Sequence, residues 1–238
     1  MYRVELAHWW YRGMGVITRT ILQQCTRPGD DLRILDAGCG TGGAMTTCLS
    51  GFGRLTGVDF ADNALRFCKM RGLSSIACAS VDRLPFPAGF FDVVTSLDVL
   101  YERSVKDDRD AVKELARLLA PGGLLLLRLP AYDWLRGQHD EVVHTARRYT
   151  TGSVAELLQA GGLIVRLLSY ANTFLFPLAL VKRLTERFGP ARPARSDLSL
   201  QMGLLNGILA AILGWEAPLV ARSALPFGLS VVALGQKI

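Results

Sequence analysis

The sequence predicts an α/β fold, a doubly wound sheet with helices on both faces. Three observations carry that prediction. Residues 34–43, ILDAGCGTGG, run from an apolar strand end through a glycine turn into a helix start. Aliphatic strand-like runs then alternate with helical stretches along the chain. Residues 91–99, FDVVTSLDV, are apolar almost without break, as a strand covered on both faces requires.

Residues 2–25 read as one or two helices carrying the patch His8-Trp9-Trp10-Tyr11-Arg12-Gly13. Docking of that patch on the sheet and a flap over a ligand are both open. Arg27 to Asp31 is a turn, Arg33 opens the first strand and Asp36 closes it. Gly38, Gly40, Gly42 and Gly43 leave the next turn almost free of side chains, and a helix runs from Ala44 to about Leu49. Such a junction gathers backbone N–H groups and a partial positive charge at one spot. Gly38, Gly40 and Gly43 satisfy G-x-G-x-x-G, the dinucleotide fingerprint. A pyrophosphate, however, gains nothing from a carboxylate on the preceding strand. Asp36 suits a ligand bearing an ammonium group or donor hydroxyls.

The second strand is Leu55 to Asp59, and its acid lies 19 positions beyond Gly40, placed to accept two ribose hydroxyls. A helix over Ala61–Arg71 and a third strand over Ser75–Ser80 follow, then Val81-Asp82-Arg83-Leu84-Pro85-Phe86-Pro87 and the fourth strand, Phe91–Val99. The end of that strand, Ser96-Leu97-Asp98, borders the ligand. In the helix Asp107–Leu119, residues Ala111, Leu115, Leu118 and Leu119 share one face. Ala120-Pro121-Gly122-Gly123 stops it before the fifth strand, Leu124–Leu129.

Pro130 to Thr151 begins at the carboxyl edge of the sheet, where open α/β folds bind ligands. It holds His139, Asp140, His144, Arg147, Arg148 and Tyr149. A histidine beside a carboxylate can act as a base near neutral pH, so His139, Asp140 and His144 are the candidate catalytic residues. A loop tied to the next helix through His144, Arg147 and Tyr149 is the structural alternative. Thr150 or Thr151 caps a helix to Ala160, which Gly161-Gly162 ends. The sixth strand is Leu163–Tyr170 and the last is Leu229–Gln236. Between them lie an amphipathic stretch after Pro177, a Pro/Arg/Ala loop at 189–197 and a helix over Leu198–Trp215. The apolar run Met202–Trp215 is too short for a bilayer span of about 20 residues.

The full pattern D-x-G-x-G-x-G at 36–42 resembles motif I of the class I S-adenosylmethionine-dependent methyltransferases. Gly-Val-Asp at 57–59, the Leu-Pro-Phe block at 84–86 and the Pro-Gly-Gly turn at 121–123 are similar to further marks of that family. The resemblance implies a seven-stranded sheet of order 3-2-1-4-5-7-6 with strand 7 antiparallel. It implies an N-terminal helical cap (1–30) and a cofactor-binding domain (31–170 plus 229–238). Residues 171–228, where the simplest relatives have a tight hairpin, read as a helical insertion serving as acceptor lid or dimer interface. S-adenosylmethionine would be the cofactor and S-adenosylhomocysteine its product. Asp36 would hold its amino-acid part and Asp59 the ribose that Gly38 and Gly40 accommodate, with Cys39 and Leu97 bordering the cofactor and Phe60 on the adenine. Ser80 stands where many relatives carry an acid on the adenine amino group, leaving the backbone near Val81 to hold that ring. Arg12 would pair with the methionine carboxylate, and Trp10 or Tyr11 would face the sulfonium. Many relatives carry a Glu-His pair where this chain has Leu100-Tyr101-Glu102.

The acceptor expected on this basis is a small apolar, lipid-like or secondary-metabolite molecule. Alternatives are a cofactor-binding subunit without catalysis and an NAD-dependent oxidoreductase. The chain has 238 residues, half of them hydrophobic, a net charge of +6 and a mean hydropathy of +0.26. The basic residues are scattered and form no stripe that tracks phosphates, which argues against nucleic acid. Attraction to anionic substrates or a membrane surface fits the charge. Five cysteines without C-x-x-C or histidine partners predict no metal site, and with no signal-like start they predict a cytoplasmic protein.

Overall fold

In the computed structural model, residues 2, 4–26, 30–137, 140, 144–188 and 203–238 are described. The elements are α1 (Trp9–Cys25), β1 (Leu32–Ala37), α2 (Gly43–Thr47), β2 (Gly53–Asp59), α3 (Asp62–Met70), β3 (Ile76–Cys78), β4 (Phe91–Leu97), α4 (Asp108–Leu118) and β5 (Leu119–Pro130). After a short 3-10 turn come α5 (Thr151–Ala160), β6 (Leu163–Ala171), α6 (Phe176–Phe188), α7 (Leu204–Trp215), α8 (Ala217–Arg222) and β7 (Ser230–Lys237).

Seven strands form one sheet of order β3-β2-β1-β4-β5-β7-β6, as expected. β7 runs antiparallel to both β5 and β6, and the remaining neighbours are parallel. Alternation along each strand sends residues to opposite faces. Ile34, Val93, Leu126 and Val232 meet Met14, Ile17 and Ile21 of α1 and Leu213 of α7 on one face. Leu35, Val94, Leu125 and Ala233 meet Leu115 of α4 and Leu158 of α5 on the other. Asp36, Thr95 and Arg128 follow the same alternation, so all three lie on the α1 face at the carboxyl edge.

Several boundaries differ from the sequence reading. β5 starts at Leu119 because Leu119 pairs with Phe91 before the Pro-Gly-Gly turn, and the ladder resumes at Val93–Leu124. β3 is shorter than expected, three residues. The helix expected from Leu198 is described from Leu204, and the loop expected at 189–197 lies outside the described residues. The unexpected α8 starts beside Glu216, a fully buried carboxylate that accepts the backbone N–H groups of Thr173 and Phe174 at 3.0 and 2.6 Å. Helix α7 also carries the N-terminal segment. Asn206 accepts the Trp9 N–H at 2.7 Å and donates to the Ala7 carbonyl. Gly13 allows α1 to approach closely, since a Cβ there would stand 2.6 Å from Leu213.

Candidate active site

A cavity of about 730 Å³ opens over the carboxyl ends of the parallel strands and reaches the start of β7. That volume is ordinary for a small-molecule site, which spans roughly 300–1,000 Å³. Asp36, 2% exposed, is among the residues that line the cavity, and its carboxylate accepts a hydrogen bond from Thr95 Oγ1 at 2.8 Å. Burial pushes this carboxyl up to about 6, against the opposing pull of the Thr95 hydroxyl and the Arg128 charge. A cation placed beside it would remove that penalty.

The glycine turn is pinned to β2 through two N–H bonds, from Gly38 and Cys39, to the Val58 carbonyl. Gly38 has φ +86°, and a Cβ there would sit 2.2 Å from Val99, so this position admits no side chain. Gly40 (φ +54°) instead faces open space, with Glu5 Oε1 nearest at 4.0 Å. Its N–H donates to Asp59 Oδ2 at 2.8 Å, and Ala61 N–H donates to Oδ1 at 2.9 Å. These bonds fix the Asp59 carboxylate at the cavity wall while each oxygen keeps a second lone pair. Phe60, 57% exposed, forms the rim, with Ser80 and Val81 beside it. Ser80 is bound to Asp82 at 3.2 Å. Cys39 and Leu97 complete this end of the lining.

Trp10 and Tyr11 cover the cavity from α1, edge to face at 5.0 Å. Arg12 does not join them. It is exposed and borders a separate depression with Val16 and Arg19. The reason is helical phase: two residues after Trp10, the chain has turned about 200°. Three arginines do line the cavity, Arg128, Arg148 and Arg183. Of these Arg128 is 6% exposed and bound through Nε and Nη2 to Asp98 at 2.7 and 2.6 Å. Its signal in the sequence was a lone arginine inside the aliphatic run Leu124–Leu129. Glu5 also lines the cavity, held by Thr41 Oγ1 at 2.5 Å and Arg71 at 3.1 Å, and no pattern in the sequence marks it.

The candidate base residues do not come together. Asp140 lines the cavity but is ion-paired with Arg148 at 2.8 and 3.1 Å and accepts the Gly137 N–H at 2.8 Å. Those partners, opposing its burial, hold its carboxyl below the usual range, the wrong direction for a base. His144 is exposed, has φ +55° and lies outside the cavity lining. His139 lies outside the described residues. Arg147 donates to the Val105 and Lys106 carbonyls, and Tyr149 Oη lies 2.9 Å from Asp108, so these side chains anchor the loop. Among the described residues no cluster of three His, Cys, Asp or Glu could hold a metal, and no helix is long and apolar enough to cross a membrane.

Residues 35–127 match the family model described as a methyltransferase domain. The ubiquinone biosynthesis O-methyltransferase of Idiomarina loihiensis is 34% identical over 116 residues, 44% of this chain and 46% of that protein. A tRNA (carboxymethyluridine(34)-5-O)-methyltransferase of Arabidopsis thaliana is 32% identical over 108 residues, 45% of this chain and 25% of its own length. The chain thus spans less than half of these curated relatives. Among solved structures, the geranyl diphosphate C-methyltransferase of Streptomyces coelicolor A3(2), holding S-adenosylhomocysteine, superposes with a TM-score of 0.61. It is 14% identical, over 93% of this chain and 75% of that one. The likeness at that identity is one of fold.

Proposed function

We propose, from the premise that this chain is a class I S-adenosylmethionine-dependent methyltransferase by family, that it methylates a small, largely apolar molecule. The observation that supports a small acceptor is the cavity itself. It runs on past the glycine turn and Asp59 into a region walled by Leu135, Leu175, Leu209 and Leu229, with Asp140, Arg148 and Arg183 also in the lining. An exposed basic groove would instead suit a tRNA acceptor, the substrate class in one relative's name.

In this reading Asp36 takes the ammonium group of the cofactor and Asp59 its ribose hydroxyls. Phe60, Ser80 and Val81 border the adenine. Arg128, in place of Arg12, faces the methionine carboxylate, and Trp10 and Tyr11 shut the roof. Bound there, S-adenosylmethionine supplies a methyl group already activated on a sulfonium. The chain contributes alignment and exclusion of water. Asp140, paired with Arg148, shapes the wall, and no side chain is assigned as a base. The insertion, residues 171–228, is the acceptor lid, and the protein works in the cytoplasm.

The test is transfer of radiolabel from S-adenosyl-[methyl-³H]methionine into two pools, an organic-solvent extract of bacterial cells and total tRNA. Label in extractable small molecules alone is the expected result. Label in tRNA overturns the small-acceptor reading.

A further inference from the structure

Helix α7 is apolar almost all round, yet one side of it faces solvent. Of its 12 residues, Leu204–Trp215, only Asn206 has a hydrophilic side chain. Asn206 turns inward, to the Trp9 N–H and the Ala7 carbonyl. Ala210 and Leu213 are buried against the domain. On the outward side Leu205, Ile208 and Trp215 are 57, 55 and 74% exposed, and Ala211 is exposed between them. Steps of three and four residues set Ile208, Ala211 and Trp215 in one stripe along the helix. A surface helix of a globular protein keeps its outward face polar, and one that is apolar all round is covered.

The stripe continues onto its neighbours. Leu219 of α8 is 44% exposed and Val16 of α1 is 47% exposed. A Cβ placed on Gly214 would touch Val16 at 3.7 Å, so α1 and α7 share this surface. Leu6, Val16, Ala211 and Trp215 line a depression of about 600 Å³ between the two helices, whose polar lining is Glu5, Tyr11, Arg12, Arg19 and Thr47. The charges here have one sign. Arg12 and Arg222 are exposed, and Arg19 is half-buried with Nη1 donating to the Ser50 carbonyl. Arg222 follows Leu219 by three residues, which puts both on one side of α8. The acids are withdrawn. The Glu5 side chain is 9% exposed and paired with Arg71, and Glu216 is fully buried.

An apolar stripe bordered by arginines and free of exposed acid complements a surface that is apolar inside and anionic at its boundary. Such a surface is an anionic lipid layer, whose headgroups meet the guanidinium groups while its acyl chains receive the stripe. Trp215, at the end of α7, joins an apolar ring to an N–H donor, the combination favoured where water meets hydrocarbon. A second copy of the chain is the poorer complement. A two-fold contact sets a patch against itself, and these arginines would find no exposed acid opposite. Among the described residues no helix is long and apolar enough to cross a membrane, so the contact is one of surface. We propose that the outward face of α7, with Val16, Leu219 and the flanking arginines, docks the protein on an anionic lipid surface. The same helix gives Leu209 to the lining of the cavity, so α7 then stands between the cavity and the lipid.

The experiment is flotation of the full chain with vesicles of phosphatidylcholine alone and of phosphatidylcholine with about one-third phosphatidylglycerol, at low salt. The chain should partition at least tenfold more strongly to the anionic vesicles. Ile208→Glu and Trp215→Ser, both at exposed positions, should each cut that partition at least tenfold and leave the melting temperature unchanged. Arg12→Gln combined with Arg222→Gln should bring partition to the anionic vesicles within threefold of that to the neutral ones, and this variant carries the test where an α7 variant does not fold. Equal partition of the wild-type chain to both vesicles, partition to neither, or anionic binding that survives the α7 and arginine changes overturns the proposal. A homodimer of the free chain that Ile208→Glu dissolves also overturns it, since a second copy then covers the stripe. None of these outcomes bears on S-adenosylhomocysteine binding, so the methyltransferase reading stands or falls separately.

Discussion

The guanidinium carbon of Arg128 lies 4.9 Å from the centre of the Trp10 ring, so the α1 roof rests on a cation that belongs to the sheet. One face of the indole is thereby engaged by Arg128, and a contact of this kind contributes roughly 0.5–2 kcal/mol. Trp10→Ala should weaken S-adenosylmethionine and S-adenosylhomocysteine binding to the same extent, about tenfold, because Trp10 acts through Arg128. Trp10→Phe should cost less than threefold. Isothermal titration of both ligands checks this, and a loss confined to the charged sulfonium ligand would return the indole to the role the sequence suggested.

If Asp36 holds the cofactor's ammonium group as proposed, ligand binding depends on pH. Its carboxyl is pushed up to about 6 by burial, and an ammonium ligand needs it ionised. S-adenosylhomocysteine affinity should therefore fall about tenfold between pH 7 and pH 5, and Asp36→Asn should flatten the profile.

The same shift has a stability consequence of opposite sense. The folded protein holds the Asp36 proton more tightly than the unfolded chain does. Stability contributed by that proton is present below about pH 4 and is lost as pH rises through about 6. Asp36→Asn should then stabilise the free protein at pH 7 by roughly 1–3 kcal/mol, with the gain vanishing below pH 4. Thermal melts across that range measure it.

The pair Asp140–Arg148 is structural in this account, its side chains 6% and 9% exposed. Removing one partner of such a pair leaves a buried charge uncompensated, at about 3–5 kcal/mol. Asp140→Asn should lower the melting temperature by roughly 6–20 °C. His144→Ala should leave turnover within twofold. Loss of turnover in His144→Ala with an unchanged melt would reinstate that residue as a base.

What the sequence revealed and what it hid have physical reasons. The placement of Asp36, Gly38, Gly40 and Asp59 at the carboxyl ends of β1 and β2 was legible because the strand–turn–helix pattern fixes their spacing. The sheet order came from the family resemblance those motifs carry, since strand order is set by crossovers that no local pattern records. Arg12 misled because the aromatic patch carries no sign of its helical phase, and one position changes a side chain's direction by about 100°. Asp140 looked like a base because its partner, Arg148, is eight residues away and meets it only through the fold of the loop. Glu5 gave no periodic or motif signal, since it is placed by a contact distant in the chain, Arg71.

The central claim is that Asp36 and Asp59 hold two different parts of one donor molecule. It is tested most directly by titrating S-adenosylhomocysteine and 5′-methylthioadenosine, which lacks the amino-acid part, into wild-type, Asp36→Asn and Asp59→Ala proteins. Asp59→Ala should weaken both ligands by about thirtyfold, since charge-assisted hydrogen bonds contribute roughly 1.5–3 kcal/mol. Asp36→Asn should weaken only S-adenosylhomocysteine and leave 5′-methylthioadenosine within threefold. A wild-type protein that binds neither ligand, or two variants that bind both as well as the wild type does, would contradict the account.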